Sequence, residues 1–113
     1  MKRVLIAIFS LSFLAACAPP DPTSPAQAMA RRGAAYEHAA RNCGGMAGGF
    51  NDIVMMRDQA ALSYAQARKL GATEALIEQE KKAVATAVGG AEFWVGKGET
   101  CSKLVTEAAM NAA

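Results

Sequence analysis

Residues that commonly form catalytic and metal sites are scarce in this chain of 113 residues. His38 is the only histidine, and no Cys-x-x-Cys spacing occurs, which argues against a zinc site or covalently attached haem. No strong excess of either charge exists, since 12 Lys and Arg residues face ten Asp and Glu residues. A formal net charge of +2 lacks the basic patch of a nucleic-acid-binding domain. The chain length allows one domain.

Groupings that would indicate catalysis are also missing from the sequence. No serine has a plausible set of partners for nucleophilic attack, because His38 would have to act alone. The glycine-rich run at residues 44–49 lacks the Lys-Ser/Thr ending of a phosphate-binding loop, so we interpret it as a flexible turn. We therefore predict a non-enzymatic protein without catalytic residues, metal ligands or a cofactor.

What the sequence does contain begins with a short leader. Lys2 and Arg3 provide positive charge, and residues 4–16 follow without a single charged side chain. Thirteen residues form a helix of about 20 Å, which is too short for a hydrocarbon core of about 30 Å. A charged start followed by a short apolar run is typical of a secretory signal peptide.

The leader ends in Leu14-Ala15-Ala16-Cys17, which resembles the lipobox of bacterial lipoproteins. The resemblance covers residues 1–17. It implies cleavage before Cys17, removal of residues 1–16 and acylation of Cys17, including palmitate, which anchors the chain to a membrane. Ala18, in place of an inner-membrane retention Asp, favours the periplasmic face of the outer membrane.

A proline-rich tether and a pair of cysteines follow. All four prolines lie between residues 18 and 25, so we expect residues 17–25 to form a lipidated, extended tether without helix or strand. Such a segment could span about 25 Å at about 3.1 Å per residue. Cys43 and Cys101 form an even pair in a chain predicted to be exported, which favours a disulfide.

Residues 26–113 contain no proline and much alanine, which favours helix. Punctuation by capping residues and glycines predicts an all-α domain, a small antiparallel bundle of three or four helices clamped by one disulfide. Asn51 and Thr73 are the expected caps of the second and third helices. The expected helical ranges are about 25–42, 52–69, 74–95 and 99–111, with a turn at residues 96–98.

The predicted core is thin, because few large apolar side chains are available. Trp94 beside Phe93 is expected to be the main packing residue, with an exposed binding patch as the alternative. Arg31 and Arg32 are expected to be solvated, close enough to the tether to meet anionic lipid headgroups.

These patterns favour a small envelope lipoprotein that serves as a structural or protein-interaction module. Its expected partners are the membrane, an envelope protein or a second copy of itself, and no nucleic acid. Two alternatives stay open: a lipid-anchored binding protein for a small hydrophobic or haem-like ligand, and an inhibitor or protector of an envelope enzyme.

Overall fold

A computed structural model describes residues 19–44 and 50–111 of the chain. Within these ranges the chain forms four helices and no strand: α1 (Pro25–Asn42), α2 (Phe50–Lys69), α3 (Glu74–Val95) and α4 (Lys97–Asn111). The all-α prediction is confirmed. Residues 1–16 and Cys17 lie outside the described residues, so the predicted cleavage and lipidation stay predictions.

Local side-chain chemistry explains two helix starts. The Ser24 hydroxyl accepts a hydrogen bond from the Gln27 backbone N–H at 3.1 Å, with Pro25 at the first helical position. Thr73 caps α3 in the same way and accepts from the Leu76 N–H at 3.1 Å. The predicted cap at Thr73 is therefore confirmed, whereas the cap at Ser24 was not predicted.

Two predicted boundaries were wrong. Asn51 lies inside α2, which begins at Phe50, so it does not cap that helix. The expected turn at residues 96–98 is a single residue, Gly96, whose φ of 86° is favourable only for glycine. Because one left-handed residue redirects the chain, Lys97 already belongs to α4.

The helices alternate in direction around α1, which packs against each of the other three. α2 runs antiparallel to α1, since Ile53 approaches Gly44 and Tyr64 approaches Gly33. α3 runs parallel to α1, and Cys101, near the start of α4, lies beside Cys43, where α1 ends. α2 and α3 make no extensive contact with each other, and a groove floored by α1 lies between them. The predicted antiparallel bundle is confirmed, with α1 as its central helix.

The core is small and rich in alanine, as expected. Its main cluster contains nine buried residues: Ala30, Tyr36, Ala39, Ala40, Met56, Ala60, Tyr64, Ala67 and Ile77. Ala34, Val84 and Val88 form a second cluster between α1 and α3. Small side chains on α1 allow its neighbours to approach closely, but they bury little apolar area.

The Cys43–Cys101 disulfide joins the C-terminal end of α1 to the first turns of α4. The two Cα atoms are 5.4 Å apart, the S–S distance is 2.11 Å, and both cysteines are buried. The predicted disulfide is confirmed. It closes a loop that contains α2 and α3.

None of the helices between residues 25 and 111 has both the length and the apolar composition needed to cross a bilayer.

Candidate functional site

The first candidate surface is an aromatic patch at the end of α3, made of Phe93, Trp94 and Val95. Phe93 is 81% exposed and Trp94 75% exposed, and Val95 is also exposed. The two rings meet edge to face, with centroids 5.4 Å apart and planes at 88°. The prediction that Trp94 packs in the core was wrong, because Trp94 is exposed; its role as a binding patch stays a prediction.

Helix geometry explains why these aromatic residues face solvent. α3 buries the stripe that contains Ile77, Val84 and Val88. Phe93 lies five residues beyond Val88, which at 3.6 residues per turn rotates it about 140° away from that stripe. Its aromatic character therefore suggested burial, while its position in the helix determined exposure.

The aromatic patch lies at the end of the bundle opposite the tether. α3 runs parallel to α1, so the C-terminal end of α3 is separated from Pro25 by the length of α1, about 27 Å for 18 residues. The first turns of α2 lie at this same end and expose Val54 and Met55. The bundle thus presents apolar side chains at its end distant from the N-terminus.

The second candidate is a polar cluster that connects the tether to the bundle. The Arg31 guanidinium donates from Nη1 to the Pro20 carbonyl at 2.6 Å and from Nε to the Glu80 carboxylate at 2.7 Å. Gln27 donates to the other Glu80 oxygen at 2.7 Å. The expectation that Arg31 is a solvated cation was therefore wrong, because its side chain is mostly buried in an ion pair between α1 and α3. Residues 19–24 contain no helix or strand, as predicted.

Glu80 itself is 1% exposed. Burial raises the pKa of this carboxyl, but hydrogen bonds from Arg31 and Gln27 and the charge of Arg31 outweigh that effect. Its pKa lies below the ordinary value, so Glu80 is ionised at neutral pH.

The groove between α2 and α3 is the third candidate. It has a volume of about 370 Å³ and is lined by Glu37, Arg41, Arg57, Ala60, Ala61, Tyr64 and Lys81. A smaller groove of about 180 Å³ adjoins it between α1 and α3, sharing Glu37, Arg41 and Lys81 and adding His38.

Glu37 is the centre of the polar network on the groove floor. The Tyr64 hydroxyl donates to its carboxylate at 2.6 Å, and the Arg41 guanidinium and the Lys81 amine lie 2.7 and 3.6 Å from its oxygens. Partial burial raises the pKa of Glu37. The Tyr64 hydrogen bond and the two cations lower it by more than burial raises it, so the pKa lies below its ordinary value. Burial and the neighbouring Glu37 raise the pKa of Tyr64, which therefore stays a neutral donor.

His38 is half-buried beside this network. Burial lowers the pKa of its imidazole, Glu92 opposes that effect and Lys97 adds to it. The neutral form therefore dominates at neutral pH. In the described part of the chain, no group of three or more His, Cys, Asp or Glu side chains is arranged to hold a metal ion.

Neither Glu80 nor Glu37 was predicted from the sequence as a functional residue. A pattern that could have revealed Glu80 exists, since it falls within the apolar stripe of α3, between Ile77 and Val84. A carboxylate at such a position requires a partner from the facing helix. For Glu37 the sequence shows only the four-residue spacing to Arg41 in α1, because its other partners, Tyr64 and Lys81, come from α2 and α3.

Comparisons of the chain with protein-family models, with curated proteins and with solved structures gave no match.

Proposed function

We propose that this protein is a small, non-enzymatic envelope lipoprotein that uses its aromatic patch to bind an envelope protein. In this proposal Cys17 carries the lipid, and the helical bundle extends into the periplasm from the outer membrane. The observation that most supports this proposal is the exposed pair of Phe93 and Trp94 at the end of the bundle opposite the tether. Exposed adjacent aromatic side chains are costly to hydrate, and tryptophan commonly dominates the binding energy of protein interfaces.

The tether contact supports this orientation. Arg31 holds Pro20 against α1, so only three Cα–Cα steps, through Ala18 and Pro19, separate the proposed lipid at Cys17 from this contact. They can reach about 10 Å, far less than the 25 Å of a fully free tether. The N-terminal end of the bundle is then held near the lipid, and the aromatic patch is the end directed away from it.

The alternative, a carrier of a hydrophobic or haem-like ligand, needs an apolar enclosure. The two grooves beside α1 are open, and charged side chains line both. The interaction module therefore fits the described surfaces better than the carrier does.

Photocrosslinking in intact cells tests the partner. A benzophenone amino acid at position 94 of the full chain should give one discrete adduct, and the added substitution Phe93→Ser should reduce its yield at least tenfold. The same probe at Gln79, on an exposed position of α3, is the matched control and should give no such adduct. Equal adducts at both positions would contradict the proposal. An adduct of twice the chain mass would instead assign the aromatic patch to self-association.

Lipid attachment is tested separately with Cys17→Ser. This variant should incorporate no labelled palmitate and should keep residues 1–16, which mass spectrometry of the purified chain detects. Palmitate incorporation equal to that of the parent would overturn the anchoring step.

A further inference from the structure

The groove between α2 and α3 carries more positive than negative charge. Three cations line it: Arg41 from α1, Arg57 from α2 and Lys81 from α3. Two carboxylates face these cations, Glu37 on the floor and Glu78, which lies 3.3 Å from the Lys81 amine. One positive charge is therefore left over.

Arg57 is the cation whose charge is not balanced locally. The Glu37 carboxylate already accepts a hydrogen bond from Tyr64 and forms ion pairs with Arg41 and Lys81. Among the described side chains, those of residues 19–44 and 52–106, no carboxylate lies within ion-pair distance of the Arg57 guanidinium. Arg57 is exposed and lines a groove that has room for another side chain.

The apolar part of the groove wall is formed by Ala60, Ala61 and the Tyr64 ring. The Lys81 amine lies 5.1 Å from the centroid of that ring, so a cation and an aromatic face are presented together. A ligand that offers one carboxylate next to a short aliphatic stem matches this arrangement. The planar fork of a guanidinium binds a carboxylate through two parallel hydrogen bonds, which a single ammonium group cannot do.

We propose that this groove binds an acidic peptide segment, with an Asp or Glu carboxylate on Arg57 and the stem against Ala60, Ala61 and Tyr64. The inference deepens the proposed function, on which it rests, by adding a second contact to the same protein partner. The adjoining groove at Ala34, His38 and Ala85 lengthens the surface along α1 and accommodates the neighbouring residues of the peptide.

A binding titration with a defined probe tests this inference. The full chain, purified in detergent with its disulfide intact, is titrated against a labelled alanine-based peptide containing three Glu residues. The matched probe has Gln in place of each Glu. The acidic peptide should bind at least tenfold more tightly than the Gln peptide, and its affinity should fall as salt is raised from 50 to 300 mM.

Arg57→Gln should weaken binding of the acidic peptide about tenfold. Arg68→Gln is the control, because it removes the same charge from α2 at an arginine paired with Glu74 outside the groove. It should change affinity less than twofold. Arg57→Lys should recover only part of the lost affinity, since lysine lacks the planar fork. Circular dichroism of each variant checks that the fold is retained.

The acidic-peptide assignment fails if both peptides bind equally, if neither binds, or if Arg57→Gln and Arg68→Gln lose affinity equally. Inorganic phosphate that displaces the peptide at lower concentration than acetate would make the groove a phosphate site and would also overturn it. These outcomes are independent of crosslinking at position 94, so failure of the groove and failure of the aromatic patch are distinguishable.

Discussion

The Glu80 carboxylate is buried at the interface between α1 and α3. Its two oxygens accept from Gln27 and Arg31, so its charge is balanced and its hydrogen bonds are satisfied. A pair of this kind contributes little compared with apolar packing of equal volume, yet removing one partner leaves an uncompensated buried charge. The same two partners also hold the tether, because Arg31 donates to the Pro20 carbonyl and the Gln27 side-chain oxygen accepts from Thr23.

Arg31→Ala should therefore destabilise the fold by about 3 kcal/mol, because Glu80 remains buried without its cation. Urea unfolding followed by circular dichroism measures the change. Glu74→Gln, which breaks the exposed pair with Arg68, is the control and should leave the urea midpoint unchanged. A parent-like midpoint for Arg31→Ala would show that Glu80 reaches water.

The pKa of Glu80 makes the stability of the protein sensitive to acid. A carboxyl whose pKa is lower in the folded than in the unfolded state stabilises the fold above its unfolded pKa, ordinarily 4.5. That contribution is lost as pH falls from about 5 through the folded pKa, and Glu37 acts in the same direction. Glu80→Gln should therefore show a shallower loss of melting temperature between pH 5 and pH 3 than the parent. Parallel curves for the two proteins would contradict this.

At the scale of the helix, α1 is the element on which the others depend. It is the helix that packs against α2, α3 and α4, and its own surface is built largely from alanine and glycine. Gly33 shows why. A Cβ atom at this position would lie 2.7 Å from the Tyr64 ring, which α2 presses against the α1 backbone.

Gly33→Ala should accordingly destabilise the bundle by about 1–3 kcal/mol, through overpacking against Tyr64. Gly89 in α3 is the matched control, since a Cβ atom there would meet nothing within 4 Å. Gly89→Ala should stabilise the protein by about 0.5–1 kcal/mol, because alanine loses less conformational freedom in a helix. Thermal unfolding measures both. If Gly33→Ala stabilised the protein as Gly89→Ala is expected to do, then helix propensity, and not the α1–α2 contact, would determine the effect at Gly33.

At the scale of the whole molecule, the thin core makes the disulfide important. It connects α1 to α4 across a sequence separation of 58 residues. In the chain-entropy account, closing a loop of that length stabilises the folded state by about 4 kcal/mol. For a domain of fewer than 100 residues this is a large part of the total stability.

Reduction of the Cys43–Cys101 bond, or the double substitution Cys43→Ser and Cys101→Ser, should therefore lower the free energy of unfolding by about 4 kcal/mol. Urea titration with and without reductant measures this, and the reduced parent should agree with the double variant. A loss below 1 kcal/mol would show that helix packing alone holds α4 in place.

The sequence by itself determined the helical class, the start of α1 at Pro25, the cap of α3 at Thr73 and the pairing of Cys43 with Cys101. These properties depend on missing prolines, on capping side chains and on the two cysteines that remain when Cys17 is assigned to the predicted lipid. They can be inferred without knowing which helices are in contact. The helix boundaries depend on neighbours along the chain, and two cysteines can pair in one way only.

The tertiary structure alone decided the exposure of Trp94, the burial of Glu80 and the groove on α1. Trp94 is apolar enough to be buried, but its position in α3 points it away from α1, and no described helix covers it. Glu80 is charged enough to be exposed, but α1 supplies Arg31 and Gln27 at the point where it lies. The physical reason is the same in both cases: burial depends on what the facing helix offers, and one-dimensional patterns do not contain that information.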